Sequence, residues 1–121
     1  MLRTIDVGAG SLTRERLIEE IRAFMRRARV GEVWLYGSWA RGDQREWSDV
    51  DLMLISPRFR GVRFIDRLSA LYDHWELLNP YAELLAYTPE EFERARGGLG
   101  IEREAARTGI RITLEEDAAT T

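Results

Sequence analysis

Apolar residues change period several times along the 121-residue chain, and each change marks a new element. Leu17, Ile18, Ile21, Phe24, Met25 and Ala28 recur at helical spacing, with Arg and Glu between them and an Arg16–Glu20 pair at i,i+4. This predicts a helix from about Leu12 to Arg29, capped by Ser11 or Thr13 and ended by Gly31. Glu32 to Tyr36 reads as a short strand. Ser38 to Arg41 reads as one helical turn closed by Gly42, and Asp49 to Ile55 as a second strand stopped by Pro57.

Phe64, Ile65, Leu68, Leu71, Tyr72, Trp75 and Leu78 form a second amphipathic helix face, broken at Asn79-Pro80. Ala82 to Tyr87 is a third strand. Thr88-Pro89-Glu90-Glu91 predicts a helix start, with Thr88 as cap, Pro89 at the first position and Glu91 closing a capping box. Gly97, Gly98 and Gly100 interrupt that helix. A short helix from Ile101 to Arg107 follows, and Ile110, Ile112 and Leu114 alternate with polar residues as an edge strand. The residues after about Glu115 read as a small, acidic, frayed tail. The expected class is α+β, or mixed α/β: a small mixed sheet of about four strands covered by helices, as one domain over residues 1–121.

Composition narrows the chemistry. The net charge is −3, which argues against broad electrostatic capture of nucleic acid. All the basic residues are Arg, so Lys-nucleophile and Schiff-base chemistry are excluded. There is no Cys and a single His, so a metal would be held by oxygen, which favours magnesium, manganese or calcium. No apolar run approaches a membrane span and no signal-peptide core is present, so a cytoplasmic protein is expected.

The stretch "WLYGSWARGDQREWSDVDLMLIS" carries the candidate chemistry. Asp is a poor strand residue and costly to bury unpaired, yet the second strand opens with two. With a period of two, Asp49 and Asp51 share a face with Met53 and Ile55, while Val50, Leu52 and Leu54 take the other. Two carboxylates roughly 7 Å apart at Cα can converge on one cation. The connection from Gly37 to Asp49 is too short for a parallel crossover, so the two strands should be antiparallel neighbours, with Gly37-Ser38 beside the Asp pair.

Gly37 permits close approach to the backbone, Ser38 supplies a hydroxyl at the start of a helical turn, and Arg41 follows one turn later. A phosphate cradle beside a two-carboxylate metal site suits phosphoryl or nucleotidyl transfer through a metal-bound triphosphate. Glu83, alone among apolar residues in "YAELLAY", is the candidate third carboxylate, as metal ligand or base.

Gly37-Ser38, ten residues, then Asp49-Val50-Asp51 resembles the signature of the DNA polymerase β-like nucleotidyltransferase superfamily. The fuller "GSWARGD…SDVDLMLI" resembles its small prokaryotic branch, the minimal nucleotidyltransferases. The leading helix, "LLAYTPEEFERA" and the final strand are similar to that branch too. The resemblance implies phosphate contacts at Gly37 and Ser38 and magnesium binding by Asp49 and Asp51. It also implies a third carboxylate, commonly Asp, at the position where Glu83 stands.

Such proteins are often paired with a small helical HEPN-domain RNase toxin and can act as its antitoxin by modifying a partner tyrosine. The implied activity is magnesium- or manganese-dependent transfer of AMP from ATP to a hydroxyl of that partner, with no membrane or direct nucleic-acid role and with homo-oligomers allowed. Two other classes remain open: an antitoxin acting by binding alone, and an antibiotic-type adenylyltransferase acting on a small molecule.

Plainer roles stand beside these. Arg41 also fits a surface ion pair with Asp43 or Glu46, and Glu83 an exposed strand charge. His74 fits a boundary residue and "GGLG" a flexible helix break. Trp39 and Trp47 bracket the motif loop and fit base stacking, core cover or a partner interface. Glu90, Glu91 and Glu93 fit a solvated helix start.

Overall fold

The computed structural model describes residues 2–4, 12–46 and 48–114. Ser11, Trp47 and the tail after Glu115 lie outside the described residues. Helix α1 (Arg14–Ala28) is capped by Thr13, whose hydroxyl accepts the Arg16 N–H at 3.1 Å. It ends at Arg29, which takes the left-handed conformation at φ 59°, so the chain turns before Gly31 is reached. Strand β1 (Arg3–Thr4) precedes α1, and β2 (Glu32–Tyr36) follows it.

Next come the single turn α2 (Ser38–Arg41), strand β3 (Val50–Ile55) and helix α3 (Leu68–Tyr72). Strands β4 (Leu77–Asn79) and β5 (Ala82–Tyr87), helices α4 (Pro89–Arg96) and α5 (Ile101–Thr108), and strand β6 (Ile110–Thr113) complete the order. Strand β3 starts at Val50, which leaves Asp49 just ahead of it.

The main sheet runs β5-β3-β2-β6. Strand β2 is antiparallel to β3 and β6, as the short connection requires, and β3 is parallel to β5. One face buries Val33, Leu35, Val50, Leu52, Leu54, Leu84 and Ile112 against Leu17, Ile21, Phe24 and Met25 of α1. The other buries Trp34, Met53, Ile55 and Tyr87 against Phe92 of α4 and Ala105 of α5. Alternation along β3 therefore sends Asp51 to the α4–α5 side, in line with Met53 and Ile55. Among the described residues, no helix is long and apolar enough to cross a membrane.

One expected element is corrected. The helix predicted across Phe64 to Leu78 is a 3₁₀ turn (Phe64–Arg67) followed by α3, which stops at Tyr72. The His74 and Trp75 N–H groups reach back three residues, to the Leu71 and Tyr72 carbonyls, and tighten the chain into a turn. Trp75 then enters the core edge-on to Phe24, with ring centroids 5.5 Å apart, and its indole N–H donates to the Pro80 carbonyl at 3.3 Å. Leu77 to Asn79 pair with β1 as a two-stranded parallel ribbon. Burial of Trp75 and strand pairing override a period that alone would continue the helix.

The capping box at Thr88 forms as expected, but Glu91 does more than cap. It accepts the Thr88 N–H at 2.8 Å and pairs through both oxygens with the buried Arg67 guanidinium. Arg67 also donates to the Val62 and Ala86 carbonyls, at 2.9 and 3.0 Å, with the rings of Phe59 and Phe64 beside it. Glu91 is thus a structural anchor joining α4 to the turn before α3.

Glu91→Ala should destabilise the protein by about 3 kcal/mol, because it strands a buried guanidinium; chemical denaturation measures this. The hydrogen bond from Arg67 holds the Glu91 carboxyl at about 2, below its ordinary 4.5. Its stabilisation is therefore present above pH 4.5 and is lost as pH falls toward 2. Glu91→Gln should flatten the acid limb of the stability profile over that window.

Candidate active site

The end of the sheet where β2 finishes and β3 begins gathers the predicted residues. Gly37 has φ 75°, a conformation that favours glycine, and stands as the cap of α2. Its Cα is pressed against the Asp51 carboxylate: a methyl group there would sit on Oδ2 and 3.2 Å from Cγ. The Gly37 carbonyl accepts the Ala40 and Arg41 N–H groups at 3.1 Å, which fixes Ser38 at the first position of α2 beside Asp51. Trp39 is buried, and its indole N–H donates to the Ser48 carbonyl at 3.3 Å. It pins the residue before Asp49 against α2 and is neither a base-stacking surface nor an exposed interface.

Strand register places Tyr36, Asp51 and Glu83 in one row across β2, β3 and β5. The Glu83 carboxylate lies within hydrogen-bond reach of Asp51, and Asp49 is close enough to act on Asp51 electrostatically. Burial first, then Glu83 and Asp49, raise the Asp51 carboxyl from 3.8 to about 6, against the pull of Arg41. The Tyr36 phenol is likewise pushed up, by burial and then by Asp51 and Glu83. Negative charge is concentrated here, and among the described residues Arg41 offsets it only in part.

Arg41 sits at the margin, about half exposed, 3.2 Å from Asp43 and 3.6 Å from Glu104. Its guanidinium has carboxylate partners, as the plainer reading expected for Asp43, and still faces the site. A cavity of about 220 Å³ opens beside Glu83, lined by Tyr36, Tyr72, Leu84, Leu85 and Ile101. The Tyr72 hydroxyl accepts the Leu84 N–H at 2.9 Å. The Tyr87 hydroxyl donates to Glu102 at 2.7 Å, which ties α5 to the sheet and holds Ile101 at the cavity.

Tyr36 and Tyr72 were not among the expected site residues. Tyr36 was readable as the residue opposite Asp51 once β2 and β3 were paired antiparallel. Nothing local marks Tyr72. His74 is half-buried at the end of α3, its carbonyl held by Arg27 at 3.0 and 2.9 Å, and takes no part in the site. The Gly97–Gly100 segment joins two helices and has no strand leading into it.

Among the described residues, no three His, Asp or Glu side chains gather closely enough to cage a metal ion alone. Asp51 and Glu83 meet, and Asp49 is exposed at the rim. An open set of one or two carboxylates, with remaining positions left to water and phosphate oxygens, is how magnesium is commonly bound with a nucleotide. The crowding that raises Asp51 is relieved by such a cation. The donor set therefore fits a divalent cation arriving with its phosphates.

Asp51→Asn should stabilise the metal-free protein at pH 7.5 by about 1 kcal/mol, allowing for solvent screening of a half-exposed group. The sign follows from the raised carboxyl, whose favourable contribution is present below 3.8 and is lost as pH rises through about 6. Magnesium should raise the melting temperature of the wild type and leave that of the variant unchanged. Gly37→Ala should cost about 1–3 kcal/mol from its positive φ and displace the Asp51 carboxylate, so that magnesium no longer shifts its melting temperature.

A comparison with curated proteins gave no match. Among solved structures, the chain is similar to a provisionally assigned nucleotidyltransferase from Sulfolobus solfataricus. The two are 19% identical with a TM-score of 0.54, over 67% of this chain and 75% of that one. At that identity the likeness speaks for the fold. A family model for the nucleotidyltransferase domain matches residues 17–117, a span that holds every predicted site residue and the whole four-stranded sheet. By that match, the protein belongs to the nucleotidyltransferase domain family.

Proposed function

We propose that the protein transfers AMP from ATP to a hydroxyl group of a partner protein. The observation that carries the reading is the row of Asp51 and Glu83, with the Gly37 backbone pressed against it. A magnesium or manganese ion held by Asp51, with Glu83 and Asp49 around it, would supply Lewis-acid activation and neutralise phosphate charge.

The chain's own groups divide by side. Gly37 and Ser38 flank Asp51 on the β2 side, where triphosphate oxygens can approach a backbone without a Cβ. Arg41 can exchange its surface carboxylates for a phosphate, since exposed pairs of that kind are weak. Glu83 flanks Asp51 on the β5 side, beside the cavity, where the acceptor hydroxyl would enter. The acceptor oxygen bonds to the α-phosphorus as the bond to the bridging oxygen of pyrophosphate breaks. Glu83 takes the acceptor proton, and pyrophosphate leaves with the electron pair.

Resemblance to minimal nucleotidyltransferases supports a helical HEPN-domain protein as the partner. The open site supports it as well, because a docked protein would shield the nucleotide from water.

The test mixes the protein with labelled ATP, magnesium and the product of its neighbouring gene. The expected result is a mass gain of one adenylyl group on the partner, abolished in the Asp49→Asn, Asp51→Asn double variant. Transfer to a small molecule alone, or partner neutralisation that survives in the double variant, contradicts the reading. Glu83→Gln should slow transfer by at least about a hundredfold, while Glu83→Asp keeps part of the rate. Wild-type turnover in Glu83→Gln would return this residue to a surface charge.

A further inference from the structure

The cavity beside Glu83 is lined by a hydroxyl of the chain itself. It touches Tyr36 of β2 and Glu83 of β5, on either side of β3. Those two strands stand two spacings apart, about 10 Å. A cavity that touches both side chains therefore spans the width of β3, where Asp51 lies between them in the row. The Asp51 and Glu83 carboxylates are both close enough to act on the Tyr36 phenol electrostatically.

Other hydroxyls at this end of the sheet are held or placed elsewhere. Tyr72 accepts the Leu84 N–H at 2.9 Å and is fixed to the edge of β5. Tyr87 donates to Glu102 at 2.7 Å. Ser38 opens α2 and does not line the cavity. Tyr36 is half-buried and lines the cavity, and among the described residues its hydroxyl makes no hydrogen bond.

An unpartnered phenol in the acceptor cavity, in the same row as the base, has what an acceptor needs. It is also tethered, and a hydroxyl held within the chain competes at high effective concentration.

We propose that Tyr36 is an internal acceptor, which takes an adenylyl group from ATP when no partner fills the cavity. The inference rests on the transfer reading and adds a second product to it. The Tyr36 phenol oxygen bonds to the α-phosphorus as the bond to the bridging oxygen of pyrophosphate breaks. Glu83 takes the phenol proton, and pyrophosphate leaves with the electron pair. The product is a phosphodiester between the tyrosine oxygen and the nucleoside.

The test incubates the protein alone with ATP and magnesium, reads the intact mass and maps the modified peptide. The expected result is a mass gain of one adenylyl group, located on Tyr36. Diluting the protein about a hundredfold should leave the marked fraction at a given time unchanged, because donor site and acceptor share one chain. Tyr36→Phe removes one unpartnered hydroxyl, so the variant should melt as the wild type does and stay unmarked. An unmarked wild type, a mark on another residue, a mark that persists in Tyr36→Phe, or a marked fraction that falls on dilution would overturn the inference. The partner assay runs in parallel and separates the two readings. A modified partner beside an unmarked Tyr36 overturns this inference alone. A marked Tyr36 beside a partner that is never modified supports this inference and counts against the protein acceptor.

Discussion

The structure depends on one close contact, the Gly37 backbone against the Asp51 carboxylate. It exists because β2 and β3 are antiparallel neighbours whose register puts Tyr36 opposite Asp51. A residue with a Cβ would push the carboxylate away, and a β2 that ran straight on would carry Ser38 out of reach. The positive φ at Gly37 turns the chain into α2, and Trp39 locks that turn to Ser48, just ahead of Asp49. Gly37, Ser38 and the Asp49–Asp51 segment are thereby held together by backbone geometry and a buried indole.

The parallel pairing of β3 with β5 adds the third carboxylate. Asp51 and Glu83 are direct register partners, so their mutual repulsion is built into the sheet. Burial and repulsion together lift Asp51 to about 6, a cost that a cation between the two carboxylates would relieve. The opposite face of the sheet packs its apolar side chains on α1. Arg67 and Glu91 play a similar role on the β5 side, where they hold α4 to the turn that precedes α3.

Much of this was legible because the signals were local or periodic. The β2 and β5 boundaries, the α2 turn, the Thr88 cap and the shared face of Asp51, Met53 and Ile55 follow from alternation, glycine placement and capping chemistry. The short Gly37–Asp49 connection revealed the antiparallel pair. The α3 region was misread because Trp75 and Leu78 continue a helical period, while the actual ending is decided by non-local terms: Trp75 packing on Phe24, and Leu77 and Asn79 pairing with β1. Glu91 read as a solvated cap residue because its partner, Arg67, lies across a turn. Tyr72 went unmarked for the same reason, since only the fold brings it beside Glu83.

The central claim is that Asp51 and Glu83 together receive a cation that arrives with a nucleotide. The most direct measurement is a crystal structure grown with manganese and a non-hydrolysable ATP analogue, read by anomalous scattering. The account predicts a manganese peak between the Asp51 and Glu83 carboxylates, with the analogue's phosphates against Gly37 and Ser38. Manganese and triphosphate bound together at the opposite end of the sheet, with Asp51 and Glu83 contacting neither, would contradict it.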